Sequence, residues 1–249
     1  MERLISIITP CYNSEKFIQE TYYSIYHQSY TNWEWIIVDD NSTDDSVKII
    51  KEFNDKRIIL IRNKSNKGAA FSRNVALRQA KGRFITFIDS DDLWEKEFLE
   101  KSLNFLNDNN EELVYSSYKR VDESLNPILD DFIAEDYINS KRILFNCPIP
   151  MLTSMYDSKR IGKVYFPEVE LREDHAMWIE LLKKIKFARA NKESLGIYRM
   201  RANSVSRNKL DIAHKQFNLY YNHLNMNLIK SLYYTFNWGI NGLKKYGKL

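Results

Sequence analysis

Along residues 1–120, short apolar runs alternate with stretches whose apolar positions recur every three or four residues. Leu4–Thr9 is an apolar run stopped by Pro10 and reads as a buried strand. Ser14 stands as a helix N-cap ahead of Phe17, Ile18, Tyr22, Ile25 and Tyr26, which repeat at helical spacing to about Gln28. Trp33–Val38 is a second strand, ended by Asp39-Asp40-Asn41-Ser42. A helix starting at Asp44 or Asp45 carries Val47, Ile50 and Phe53. Ile58–Ile61 is a third strand and Asn63–Gly68 a polar loop. Ala69–Ala80 is a helix, closed by Lys81 and a C′ glycine, Gly82. Arg83–Ile88 is a fourth strand, followed by Asp89-Ser90-Asp91-Asp92, a helix over Glu95–Asn107 and a fifth strand over Leu113–Ser117.

This alternation predicts an α/β fold with a Rossmann-like, mainly parallel sheet covered by helices on both faces. Ligands of such sheets sit outside the carboxyl ends of the strands. Three polar clusters fall at those ends: Tyr12-Asn13, Asp39-Asp40 and Asp89–Asp92. Beyond Tyr118 the pattern loosens. Val121–Asp136 is loop-like, Met151–Met155 a strand, Glu173–Ile185 an amphipathic helix and Leu195–Tyr198 an edge strand. The predicted division is 1–118 as a nucleotide-binding half, 119–207 as an acceptor-side half, and 208–249 as a separate helical, aromatic and basic extension.

Composition narrows the classes. The 249 residues are 44% hydrophobic and 28% charged, an ordinary globular balance. No window reaches the length of a spanning helix, and the start lacks a signal-peptide pattern. Cys11 and Cys147 make neither a disulfide framework nor zinc spacing, which favours a reducing, cytoplasmic setting. The first of only seven glycines is Gly68, so no glycine-rich phosphate loop follows the first strand. A nucleotide bound there must be held by side chains. The net charge is +4, but Arg201–Leu249 holds eight Lys/Arg against Asp211 alone, a net +7 that leaves −3 for residues 1–200.

The polar clusters carry the candidate chemistry. Carboxylates two apart at a strand end, Asp89 and Asp91, can reach one hard cation such as Mg²⁺ or Mn²⁺ together; the same residues also suit a turn and a helix cap. Asp39-Asp40 can accept a hydrogen bond from a base imide N–H, or serve as an Asx cap. Tyr12 can stack on a base, or fill a turn. Lys67 and Arg73, at the start of a helix, can face a diphosphate. Glu173 and Asp174 open the later helix, where acids are favoured by the dipole, and one of them can act as a general base.

The ordered set Ser6–Asn13, Ile37–Asp44, Gly68 to Arg73-Asn74, Phe87–Trp94 and Arg172-Glu173-Asp174 with Trp178 resembles glycosyltransferase family 2, the inverting GT-A nucleotide-sugar enzymes. The stretch from Asn146 to Lys184 looks most like bacterial enzymes of teichuronic-acid, capsule and O-antigen assembly. The resemblance implies a transferase moving a sugar from a UDP-sugar to a glycan or lipid-linked glycan, at the inner face of the cell membrane. It implies that Pro10 and Tyr12 line the base pocket, that Glu15 touches the nucleotide, and that Asp40 holds the uracil imide. Arg73 then lies near base and diphosphate, Asp89 and Ser90 contact the nucleotide, and Asp91 holds Mn²⁺ or Mg²⁺ with help from Asp92. Asp174 is the base and Glu173 its support. The family's Tyr-Arg-x-His-x-x-Ser-x-Ser element reads Tyr198-Arg199-Met200-Arg201-Ala202-Asn203-Ser204-Val205-Ser206 here, with Arg201 in the histidine's place. Arginine keeps a phosphate contact but cannot ligate metal, so Lys67, Arg199 and Arg201 are diphosphate candidates. Residues 208–249 suit peripheral membrane contact, packing on the domain or a homodimer interface. A nucleotidyltransferase expects the missing glycine loop, and nucleic-acid binding is disfavoured by the acidic sheet edge. A non-catalytic nucleotide-sugar binder or membrane scaffold is the alternative.

Overall fold

The computed structural model describes residues 3–169, 172–201 and 209–246. The central strands are β1 (Ile5–Cys11), β2 (Trp33–Asp39), β3 (Ile58–Arg62) and β4 (Phe84–Phe87). All run parallel, with β1 between β2 and β4 and β3 outside β2. β1, β2 and β4 are apolar along nearly their whole length because both faces are covered. Alternate side chains serve two cores. Ile7, Trp35, Ile37 and Phe84 face one side with α1 (Ile18–Tyr26), while Ile8, Ile36, Val38 and Phe87 face the other with α3 (Ala69–Gln79). α2 (Ser46–Glu52) adds Ile50 to the first core. A short β5 (Leu93–Trp94) leads into α4 (Phe98–Asp108), which seats Phe98, Leu99, Leu103 and Leu106 there too.

The sheet continues from β4 through β9 (Ser154–Asp157), β6 (Leu113–Val121) and β10 (Ala188–Arg199) to β5. β9 is antiparallel to both neighbours, and β10 is parallel to β6. Several expectations change here. The fifth predicted strand runs on to Val121, and the region read as loop contains β7 (Pro127–Phe132), which pairs with β6. A two-residue β8 (Tyr137–Ile138) pairs with β10. The strand expected near Met151–Met155 starts three residues later, and the expected edge strand is a twelve-residue interior one. Alternation was hard to see in β10 because its pairing slips twice, between Asn191 and Gly196.

Two predicted caps also differ. Ser14 lies before a turn, and α1 begins at Ile18, because the Ser14 hydroxyl is bonded to Ser90 (2.6 Å) rather than to a helix N–H. Gly82 is not a left-handed helix cap, since α3 ends at Gln79. It is glycine because β1 passes so close that a Cβ would lie 2.5 Å from the Ser6 nitrogen.

A short α5 (Ser158–Ile161) follows β9, and α6 (Glu173–Leu182) buries Ala176, Met177, Trp178, Leu181 and Leu182 in the α3-side core. The C-terminal segment forms α7 (Lys209–Asn218), a π-turn over Leu219–His223 and α8 (Leu228–Tyr246). It does not stand apart: Leu219 joins the same core as Trp178, and Tyr220 is fully buried with its hydroxyl on the Leu144 carbonyl (2.6 Å). No helix among the described residues is long and apolar enough to cross a membrane. The boundary expected at 207/208 and the motif serines Ser204 and Ser206 lie outside the described residues.

Candidate active site

The parallel register puts Cys11 beside Asp39 and Ile8 beside Phe87, so the three polar clusters leave the sheet on one edge. Hydrogen bonds then tie the loops to one another. Asn13 adopts a left-handed backbone (φ 48°), accepts from the Thr43 N–H (2.9 Å) and donates its own N–H to the Ser42 hydroxyl (3.0 Å). Glu15 accepts from the Asp45 N–H (3.0 Å), while Asp44 accepts from the Glu15 N–H (3.0 Å). Ser14 meets Ser90. Tyr12 keeps an exposed ring at 48%, and Pro10 precedes it half-buried. Cys11 is no nucleophile, because burial pushes its thiol up to about 12.

Asp40 is buried and accepts from Asn63 Nδ2 (2.7 Å), from the Lys67 N–H (2.9 Å) and from the Gly68 N–H (2.6 Å). Its carboxylate therefore shapes the loop that opens α3. Gly68 has φ 88°, a conformation favouring glycine, and that turn delivers Arg73 from the first turns of α3. Lys67 contributes its backbone here and keeps its side chain exposed.

Arg73 is the hub. Its guanidinium pairs with Asp89 (2.5 Å) and lies 5.4 Å from the Phe166 ring centre. The charges of Asp174 and Glu173 also act on it, so the start of α6 comes near the end of β4. Asn74 holds the intervening chain by a double bond to Phe166: it donates to the carbonyl and accepts from the N–H, each at 2.8 Å. Neither Asn74 nor Phe166 stands out as a pair in sequence, being 92 residues apart.

In the Asp89–Asp92 loop, Asp91 is largely buried and paired with Arg201 Nε at 2.8 Å. Burial, then the nearby Asp89 charge, raise its carboxyl above the usual range, and Arg201 works against that rise. Asp92, expected to help hold a cation, turns inward and accepts the Arg199 N–H (2.8 Å). Its carboxyl is pushed well up by burial and then by Asp91. Arg199, expected to face a diphosphate, is buried too. Its side chain, 1% exposed, pairs with Glu20 and lies 4.6 Å from the Phe17 ring centre. Asp92 and Arg199 thus form a buried layer beneath the site, whereas Arg201, like Arg73, reaches its acidic loop.

Glu173 and Asp174 open α6 as expected. Asp174 accepts the His175 N–H (2.7 Å) in the first turn, and burial followed by the Asp174 charge raises the Glu173 carboxyl. His175 is fully buried. Its Nε2 lies 2.7 Å from the Ile143 carbonyl and so carries the proton, while Nδ1 accepts from Gln216 Nε2 on α7 (3.2 Å). Arg172 lies 5.3 Å from the Trp238 ring centre on α8. Gln216 and Trp238 thus support the site from the C-terminal segment, for which packing on the domain was one of the expected roles.

Among the described residues no group of three or more His, Cys, Asp or Glu is arranged to enclose a metal ion. The oxygen donors of Asp89 and Asp91 fit the other mode, in which one or two carboxylates hold a hard cation and a substrate diphosphate completes its shell.

A three-layer α/β sheet with a polar loop at the carboxyl end of β1 and acidic ones at those of β2 and β4, faced by a helix opening on two carboxylates, defines a GT-A glycosyltransferase. Residues 6–154 match the family model "Glycosyl transferase family 2", and the chain belongs to that family. It is 37% identical over 245 residues to TuaG of Bacillus subtilis, named as a teichuronic acid biosynthesis glycosyltransferase, covering 97% of each chain. It is 35% identical over 244 residues to WfgD of Escherichia coli, covering 98% of this chain and 95% of that one. WfgD is named as a UDP-Glc:α-D-GlcNAc-diphosphoundecaprenol β-1,3-glucosyltransferase. The fold matches Staphylococcus aureus TarS residues 1–349 in complex with UDP-GlcNAc, with a TM-score of 0.75 at 23% identity, over 96% of this chain and 72% of that one.

Proposed function

We propose that this glycosyltransferase moves a sugar from a UDP-sugar to a hydroxyl of a lipid-linked glycan in bacterial surface polysaccharide synthesis, by one inverting displacement. The observation that carries the reading is the convergence on Arg73: Asp89 at the end of β4 pairs with it, and the Glu173-Asp174 end of α6 acts on it. One cation is thus paired with a donor-side carboxylate and lies in the field of the acceptor-side ones. The donor class is supported by WfgD's name and TarS's bound ligand, and the lipid-linked acceptor by WfgD's diphosphoundecaprenol substrate. An acceptor of that kind brings the reaction to a membrane surface, on the cytoplasmic side that the cysteine usage favours.

Pro10 and the exposed Tyr12 ring flank the base. Asp40, with Glu15 and Ser90, sets the loops around it, and Asp40 contacts the uracil imide from its buried position. Asp89 meets the ribose, with Arg73 steering the diphosphate. Lys67 and Arg201 add positive charge for the phosphates. Asp91, with Asp89, would hold Mn²⁺ or Mg²⁺, which when bound offsets charge on the departing UDP. Asp174 takes the proton of the attacking hydroxyl as the new glycosidic bond forms on the face opposite the leaving UDP. Its orientation is fixed by the His175 N–H. Glu173, less acidic beside it, supports the base.

The test couples nucleotide binding to turnover. Thermal shifts with UDP, GDP, ADP and CMP, each with and without Mn²⁺, are expected to select UDP and to shrink in Asp91→Ala; a saturating ligand at about 100 times its Kd stabilises by about 2.7 kcal/mol. Asp174→Asn is expected to keep that UDP shift while lowering kcat on the order of 10²–10⁴-fold. A well-folded protein that responds to no nucleotide overturns the reading in favour of a non-catalytic scaffold.

A further inference from the structure

α8 has two unlike faces. One is docked: Ser231 is fully buried, the Tyr234 ring lies 5.2 Å from Phe145 and 5.7 Å from Tyr220, and Trp238 receives Arg172. The other is bare. Leu228, Ile229, Leu232, Tyr233 and Phe236 are 55, 79, 54, 54 and 70% exposed. Their spacing puts them on one continuous strip of the helix, unlike the scattered apolar residues of an ordinary surface. The strip is not needed for packing, since the opposite face already seats the helix.

We infer that this face of α8 lies on an anionic lipid surface. The charge pattern selects that occupant. Lys230 follows Ile229, and Lys244, Lys245 and Lys248 continue the chain; no Asp or Glu follows Asp211. A two-fold contact between copies would bring the same patch against itself, Lys230 included, with no acid after Asp211 in this segment to answer it. A bilayer of acidic headgroups takes the apolar strip into its boundary and Lys230 at its phosphates, and it attracts the basic C-terminal sequence as a whole. Tyr233 adds an amphipathic ring suited to that depth. The inference agrees with a lipid-linked acceptor but does not require it, because the exposed strip and its charges carry it.

The test is flotation of the full chain with vesicles of phosphatidylethanolamine and phosphatidylglycerol, roughly 3:1, against phosphatidylcholine alone. Wild type is expected to float with the anionic vesicles and to be released by salt at about 0.5 M. The double variant Ile229→Ser/Phe236→Ser is expected to lose roughly tenfold or more of that partitioning with its melting temperature unchanged. Wild type left in solution with both vesicle types overturns the inference, as does a double variant that still floats. A wild-type dimer in solution that the double variant splits also overturns it, with a second copy as the occupant. UDP-induced shifts on the same samples keep the two readings apart: flotation without a nucleotide response sinks the transferase reading alone, and the reverse sinks this one alone.

Discussion

Asp40 and Asp174 lie in two parts of the molecule that are held together differently. Asp40 ends a parallel strand, and its partners Asn63, Lys67 and Gly68 come from the next crossover in the chain. Asp174 opens a helix whose position depends on Ile143, Gln216 and Trp238, from elements far away in sequence. The first region is a set of neighbouring βα loops laced by their own side chains. The second is assembled from the 3₁₀ turn at Arg142–Phe145, α6, α7 and α8. A donor end built locally and an acceptor end built remotely can be perturbed separately, and the following predictions use that separation.

The largest effect is expected on the strand-end side. Asp40→Ala removes the acceptor of three donors and frees the loop ahead of α3. It should cost about 4 kcal/mol of stability, from charge-assisted bonds of about 1.5–3 kcal/mol each, discounted for water entering the exposed loop. Denaturant unfolding would read the loss, and the UDP-induced shift should fall with it. A variant of unchanged stability would mean the loop is held by other contacts.

The next effect belongs to the α6 side and depends on pH. Burial, then the Arg172 charge, lower the His175 pKa to about 4, against about 6.5 in the unfolded chain. The unfolded state therefore binds more protons between those values, and stability falls as pH drops from about 6.5 towards 4, by roughly 3 kcal/mol in all. His175→Gln should be less stable at pH 7 yet show a shallower slope over that window. Parallel slopes for wild type and variant would assign the acid sensitivity elsewhere.

The smallest is Trp238→Leu, which removes the ring beside Arg172 while keeping apolar bulk. It should cost about 1 kcal/mol in stability. Because Arg172 directly precedes Glu173, kcat should drop several-fold with the UDP shift unchanged. Loss of UDP binding instead would show that α8 supports the donor end as well.

The alternation of strands and helices to residue 108, the parallel centre of the sheet and the edge on which the acids gather were all legible from the chain. Each follows from short-range patterning: two-sided burial writes continuous apolar runs into β1, β2 and β4, and the acids directly follow them. The helix carrying Glu173 and Asp174 was legible for the same reason. By contrast, β7 reads as a loop because none of its six residues is buried, four being exposed and two half-buried, and β10 reads as a shorter strand because its bulges break the period.

Which charges face the site was decided only by the tertiary structure. Asp91 and Asp92 are adjacent and chemically identical, yet one meets Arg201 and the other meets the Arg199 N–H in the interior. Arg199 and Arg201 divide in the same way, one buried on Phe17 and one reaching the acidic loop. Likewise an aromatic, basic tail specified an amphipathic helix but not its contacts; Gln216 on His175 and Trp238 on Arg172 needed the chain to return across the sheet. Local sequence determines which conformations are cheap and which faces are apolar. The orientation of a polar side chain at a crowded edge depends on partners up to 179 residues away, as with Glu20 and Arg199, and only the packed chain brings those together.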